Sequence, residues 1–389
     1  VMAGLQANRA QTARELLDAF RAYHSPMQNL VVADTAGNTA FKAAGRVPLR
    51  KPGNDIRGIA PSPGWDARYD WSAWLPDGQT PAQGNAAIAA AGWLATANQR
   101  ITPPGYPYFL GQDWTVPYRQ DRIDQLLGAT ATHDMASMQA IQGDVHSEAA
   151  LKLLPYLQKA LSASRHPLGR EAEEMMRAFD GQMRPDSAAP LVLVAWADEL
   201  ARGVIGGRLG ENRFRTLYGK RHFRAAIEDI LQRNDASWCG PQGCDQQSIA
   251  ALDRALARLQ TLYGNDTGSW RWHWGHAHQA LSAHRPFANA APFDRFFNLR
   301  VPTGGDTFTV NVGQHWDAGD GRPFANRQGA SMRAIYDLGD LEKSLFIYQA
   351  GQSGLVFSGR YRDMSEQWAA VKYRPLQLDP PQWRHRLTL

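Results

Sequence analysis

The chain has 389 residues, 43% of them hydrophobic, and a formal net charge of +5. This length allows one large domain or two smaller ones, and the apolar fraction suits a globular protein with a substantial core. No run of about 18 apolar residues occurs, which argues against a membrane-spanning helix, and the basic residues are scattered among acidic ones rather than gathered into the stripe that nucleic-acid binding requires.

The chain opens on Val1, neither an initiator Met nor the start of an apolar signal core, so a processed or incomplete product is expected. Ala13, Leu16, Leu17 and Phe20 recur at helical spacing and predict an amphipathic helix that ends at His24-Ser25-Pro26. Two strands, 29–34 and 39–43, flank Thr35-Ala36-Gly37-Asn38, which reads as a hairpin turn. Residues 45–85 are rich in Pro, Gly and Trp and predict an ordered wrapping loop. A short strand is expected at 92–98. From about residue 121 to 284 the pattern is helical. Thr132 is a candidate N-cap before His133-Asp134-Met135. An apolar stretch at 151–161 and a nearly all-apolar helix at 188–204 follow. Asp245 reads as the cap of a helix carrying Ile249, Leu252, Leu256, Leu259 and Tyr263. After Pro286 strands return at 307–312, 332–337 and 344–349. The economical reading is an α+β core interrupted by helices. Residues 1–128 would form part of the core, 129–289 a helical insertion, and 290–389 strands returning to the same sheet.

Three features invite chemistry. Gly351-Gln352-Ser353-Gly354-Leu355 looks like a serine nucleophile site, but Leu355 stands where a nucleophile elbow needs Gly, so a turn is expected. His273, His276 and His278 cluster among tryptophans, with no standard zinc spacing, and read as packing groups. Cys239 and Cys244 flank a loop containing Gly240, Pro241 and Gly243. That loop can bend to close a disulfide, which would favour an oxidising compartment. Two unpaired thiols in a reducing cytosol is the alternative.

A larger pattern runs through the chain. It comprises Asn29-Leu30-Val31-Val32-Ala33-Asp34 with its Gly37-Asn38 turn, then Gly45-Arg46-Val47-Pro48 and Pro61-Ser62-Pro63-Gly64-Trp65-Asp66. It continues in Gly92-Trp93-Leu94-Ala95-Thr96-Ala97-Asn98, Tyr108-Phe109-Leu110-Gly111-Gln112-Asp113-Trp114 and Tyr118-Arg119-Gln120-Asp121-Arg122-Ile123. Near the end stand Gly351-Gln352-Ser353-Gly354, Tyr361 and Trp368. In this order the segments resemble the penicillin acylase family of N-terminal-nucleophile hydrolases, in the C-terminal part of the large (beta) chain.

The resemblance implies a four-layered αββα sandwich with a helical insertion. It also implies amide hydrolysis by a Ser exposed at a new N-terminus when a precursor cleaves itself, the Ser α-amino group serving as base. Asn98 matches the family's oxyanion donor. Arg122 matches its active-site arginine, against the plain reading of a surface arginine paired with Asp121 or Asp124. Asp113 resembles one carboxylate ligand of a structural calcium, whose other carboxylate ligands would lie outside this chain. No cofactor is expected for catalysis. Val1 has no side-chain oxygen or sulfur to serve as the nucleophile. The nucleophile, the upstream part of the beta chain and a smaller alpha chain lining the acyl pocket are therefore expected as partners from the same precursor. A periplasmic or secreted location is expected. The leading substrate reading is side-chain cleavage of penicillin-like N-acyl compounds. The alternatives are an acylase of N-acyl homoserine lactones or fatty acyl amides, and a non-catalytic binding homologue.

Overall fold

The computed structural model describes residues 2–217, 222–379 and 382. These divide into two units, one of residues 1–120 with 337–341 and the other of 121–336 with 342–389.

In the first unit Thr12 caps the helix Ala13–Ala19, its hydroxyl accepting from the Glu15 N–H at 3.2 Å. Strands β1 (Gln28–Ala33) and β2 (Thr39–Ala44) pair antiparallel with Ala33 opposite Thr39, so the hairpin turn falls where expected. Gly37 takes φ +82° at its tip, a conformation that a Cβ disfavours. The Asp34 carboxylate accepts from the Ala36 and Asn38 N–H groups and from the N–H of Ala13, tying the hairpin to the start of the helix. These donors hold its pKa below the ordinary carboxylate value, the Asn38 side chain contributing most. The wrapping segment contains β3 (Pro48–Arg50) and β4 (Trp71–Trp74), which pair with one another, and ends in β5 (Ala82–Gln83), which joins β2. Phe41, Ala43, Val47, Leu75 and Ile88 are buried, while Trp65 and Trp71 stand largely exposed.

The expected strand at 92–98 does not form. The helix Asn85–Ala91 ends at Gly92, which takes φ +85° as its left-handed cap. The residues after it make no ladder and are held by side chains, as where Asn29 Nδ2 donates to Thr96 Oγ1 at 2.7 Å.

The second unit is built on helices. Glu148–Ala163, Ala189–Ala201 and Gly243–Tyr263 pack around Leu153, Leu157, Trp196, Leu252 and Leu256, each no more than 1% exposed. Trp196 donates its indole N–H to the Ser248 carbonyl at 3.1 Å, so a large polar-tipped ring is buried without loss of its hydrogen bond. Two caps differ from expectation. Asp134, not Thr132, caps the helix Met135–Gln142 through a reciprocal box with Ser137, because the chain turns one residue pair later. Asp245 lies within the first turn of its helix rather than at the cap, and pairs with Lys159 at 2.5 Å.

Four strands form one sheet in the order β7-β6-β9-β8, with β6 at Gln279–Ser282, β7 at Leu299–Pro302, β8 at Gly313–His315 and β9 at Asn326–Gly329. A second sheet joins β10 (Met332–Ile335), β11 (Leu345–Tyr348) and β12 (Arg374–Pro375) over buried Ile347, Met364 and Trp368. The expected strand at 307–312 is instead an irregular segment. There the Thr309 hydroxyl accepts from the Asp306 N–H and donates to the Asp306 carbonyl, and the Asp306 carboxylate accepts from the Phe308 N–H, which diverts the chain from a ladder. Among the described residues no sheet joins a strand from the first hundred residues to one from the last hundred. Among the described residues β6–β12 pair with one another in these two sheets. The fold is α+β, as read from the sequence.

Candidate active site

Asn98 sits in the first unit on the irregular stretch after Gly92. Its φ is +66°, the left-handed region that Asn tolerates better than most side chains. Three contacts fix the segment. The Thr115 N–H donates to the Asn98 carbonyl at 3.0 Å, and the Ala97 N–H donates to Gln99 Oε1 at 2.8 Å. Arg119, near the start of the helix Tyr118–Gly128, donates from one guanidinium nitrogen to the Ala97 carbonyl at 2.9 Å and to Asn98 Oδ1 at 3.0 Å.

That last contact settles the amide's orientation by chemistry alone. A guanidinium has donors and no acceptor, so the group facing it is the amide oxygen. The Asn98 NH2 therefore points away from Arg119, and among the described residues no acceptor meets it. Asn98 is exposed, so an incoming group can reach it. The arrangement offers a neutral hydrogen-bond donor held in place by a cation behind it.

In the sequence Arg119 is legible only as part of the Tyr118-Arg119-Gln120-Asp121-Arg122-Ile123 pattern, in which Arg122 is the arginine that stands out. Arg122 lies one helical turn on and in the second unit. It forms a two-pronged pair with Asp144, at 3.1 Å from Nε and 2.7 Å from a terminal nitrogen, and donates to Gln125 as well. Its side chain is 16% exposed and that of Asp144 is 12%. The Asp144 hydrogen bond raises the Arg122 pKa against burial. Asp121 and Asp124, the neighbours expected as partners, are not the residues that meet its guanidinium.

The other candidates separate. Asp113 is exposed, and among the described residues no group of three or more His, Cys, Asp or Glu gathers as a metal would need. One carboxylate falls far short of the six to eight oxygens of a calcium shell. Cys239 and Cys244 are joined in a disulfide with Cα atoms 4.9 Å apart, in a buried setting. Ser353 accepts from the Leu355 N–H at 3.1 Å, and its own N–H donates to the Arg360 carbonyl, which makes it a turn residue. His278 is fully buried and stacked on Trp274, with ring centroids 4.2 Å apart, and meets the Phe324 carbonyl through Nδ1. Burial first, and then His315, push its pKa down to about 3, so it is neutral. His276 lies edge-on to Trp270 at 4.5 Å. Trp274 thus covers a face of His278 and Trp270 meets His276 edge-on, as packing groups do.

Residues 1–385 match the penicillin amidase family. The acyl-homoserine lactone acylase QuiP of Pseudomonas aeruginosa is 30% identical over 433 residues, covering 98% of this chain and 48% of that protein. The penicillin acylase 2 proenzyme of a Pseudomonas species is 27% identical over 375 residues, covering 94% and 46%. A thermostable penicillin G acylase from Alcaligenes faecalis shares the fold, with a TM-score of 0.64 at 16% identity over 100% of this chain and 72% of that one. The chain spans about half the length of the curated relatives it matches. A family match over nearly every residue, together with a shared fold, leads to one conclusion: the chain belongs to the penicillin amidase family.

Proposed function

We propose that this chain is part of an acylase that hydrolyses the amide of N-acyl compounds to a carboxylic acid and an amine. The observation that carries the reading is Asn98, whose amide oxygen is engaged by Arg119 and whose N–H groups are thereby offered outward. In the proposed reaction a Ser hydroxyl outside this sequence attacks the amide carbonyl, and the Ser α-amino group takes its proton. An α-amino group with a pKa of about 7.7–8.0 is unprotonated in part near neutrality and can do so. The carbonyl oxygen becomes an oxyanion, to which Asn98 Nδ2 donates. The C–N bond then breaks, the amine leaves with the proton, and water hydrolyses the resulting ester. Arg119 holds Asn98. Arg122, committed to Asp144, supports the scaffold.

The relatives named for acyl-homoserine lactones make those compounds the first substrates to test. Penicillin-type side-chain amides, the leading expectation from the sequence, are the second class. The proposal extends to assembly and location. Strands and a smaller chain from the same precursor would complete the four-layered αββα sandwich and cover the exposed Trp65 and Trp71. The disulfide suits a periplasmic or secreted protein. Among the described residues no helix is long and apolar enough to cross a membrane. A calcium ion bound through Asp113 would need its remaining ligands from outside this sequence, and no step depends on it.

The test is the kinetics of the complete, processed protein on decanoyl-homoserine lactone and phenylacetyl amides. Turnover of either class that falls about a hundredfold or more in Asn98→Ala supports the assignment. Undiminished turnover in that variant refutes it.

A further inference from the structure

The second unit contains a cavity of about 120 Å³ that the proposed chemistry does not use. Its walls are apolar, formed by Leu153, Leu193, Val194, Ile227 and Phe308 among others. Charged and polar groups join the same lining: Asp198, His315, Arg224 and Asp306. An apolar body with a few converging polar groups is how small-molecule sites are built. A cavity of comparable size is known to admit a benzene-sized guest, of about six carbons.

The state of each polar group decides what such a guest carries. Arg224 is occupied: it donates to Glu228 Oε1 at 2.6 Å and to the Ala149 carbonyl, and lies over the Phe308 ring at 5.4 Å. Asp306 is occupied too, one oxygen accepting from the Phe308 N–H at 2.7 Å and the other from the Ser147 hydroxyl at 2.8 Å. Asp198 is different. Its side chain is 13% exposed and meets His315 Nε2 at 3.4 Å through Oδ1, and among the described residues no other side chain pairs with it. His315 adds a second unused acceptor or donor, since its buried Nδ1 has no hydrogen-bond partner among the described residues. Asp198 in the lining repels an anion; Arg224 is held by Glu228, which also pairs with Lys152, and burial raises the pKa of Asp306 and favours its uncharged form. The cavity therefore disfavours a carboxylic acid.

We propose that this cavity binds a small hydrophobic ammonium compound, an alkyl- or arylalkylamine of about six to eight carbons, with Asp198 as its counter-ion. The site is independent of the acylase reading, because its residues take no part in the Asn98 arrangement. It would give the helical unit a ligand of its own, of the chemical class that amide hydrolysis releases.

Calorimetry and ligand-observed NMR on the complete, processed protein test this. Phenethylammonium and hexylammonium are the probes, with phenylacetate, hexanoate and benzyl alcohol as controls. Saturable amine binding is expected, stronger than that of the matched acid or alcohol. Asp198→Asn should weaken it about tenfold or more, as loss of a charged partner does. Ala197→Phe, which fills the cavity from the helix Ala189–Ala201, should abolish it. The melting temperature of each variant is recorded, so that if one fails to fold the other decides. Carboxylates or alcohols binding as well as amines, amine affinity indifferent to both substitutions, or no saturable amine binding would each overturn the proposal. Because binding is read directly, an absence of hydrolysis bears only on the acylase reading.

Discussion

Removing Arg119 probes the arrangement around Asn98 without touching the amide that is proposed to work. The guanidinium donates to the Asn98 amide oxygen and to the Ala97 carbonyl, at 3.0 and 2.9 Å. A hydrogen bond to a charged group contributes about 1.5–3 kcal/mol when buried, and less here because Asn98 is exposed, so about 1 kcal/mol for holding the amide is a fair value. Arg119→Ala should then lower kcat about fivefold to tenfold with KM little changed, because the interaction orders a donor used in the transition state. Asn98→Ala removes the donor itself and should cost about 10²–10³ in kcat. The double substitution discriminates best. If Arg119 acts through Asn98, Asn98→Ala with Arg119→Ala costs no more than Asn98→Ala alone. Arg119→Lys should fall between, since a single ammonium lacks the planar guanidinium's spread of donors. The assay is steady-state hydrolysis of decanoyl-homoserine lactone and a phenylacetyl amide by the complete enzyme, with thermal melts alongside. Unchanged kcat in Arg119→Ala, or a double variant whose loss is the product of the two single losses, would refute the reasoning.

Arg122→Met should destabilise the protein by about 3 kcal/mol, because it leaves Asp144 largely buried and unpaired; a kcat loss with stability intact would return Arg122 to the catalytic set. Replacing both Cys239 and Cys244 by Ser should lower the denaturation free energy by about 2 kcal/mol, the value for so short a loop, and unchanged midpoints under non-reducing conditions would contradict this. His278 has a folded pKa of about 3 against 6.5 when free. Its contribution to stability is therefore complete above pH 6.5 and is lost as the pH falls from there towards 3, with a slope of up to about 1.4 kcal/mol per pH unit. Urea unfolding across that range should show the slope, and His278→Gln should reduce it.

What the sequence determined by itself is what local patterning and local chemistry control. Apolar residues at helical spacing marked the helices at Ala13–Ala19 and Ala189–Ala201, because burial of one face or all faces leaves that period in the chain. Alternation around Gly37-Asn38 marked the β1–β2 hairpin, because only certain residues accept the turn. The ordered motifs identified the family and singled out Asn98. Tertiary structure decided the rest. Residues 92–98 have apolar character but no strand, since Gly92 caps a helix and side chains from distant segments hold the residues beyond that cap. Residues 307–312 read as β-forming, yet Asp306 and Thr309 close the backbone on itself. The choice between Arg119 and Arg122 was likewise beyond the sequence. The two lie three residues apart on one helix, and which guanidinium meets Asn98 and which meets Asp144 depends on where segments 21 and 22 residues distant are folded back. A propensity is a property of a few neighbours, whereas a hydrogen-bond partner is fixed by the path of the whole chain.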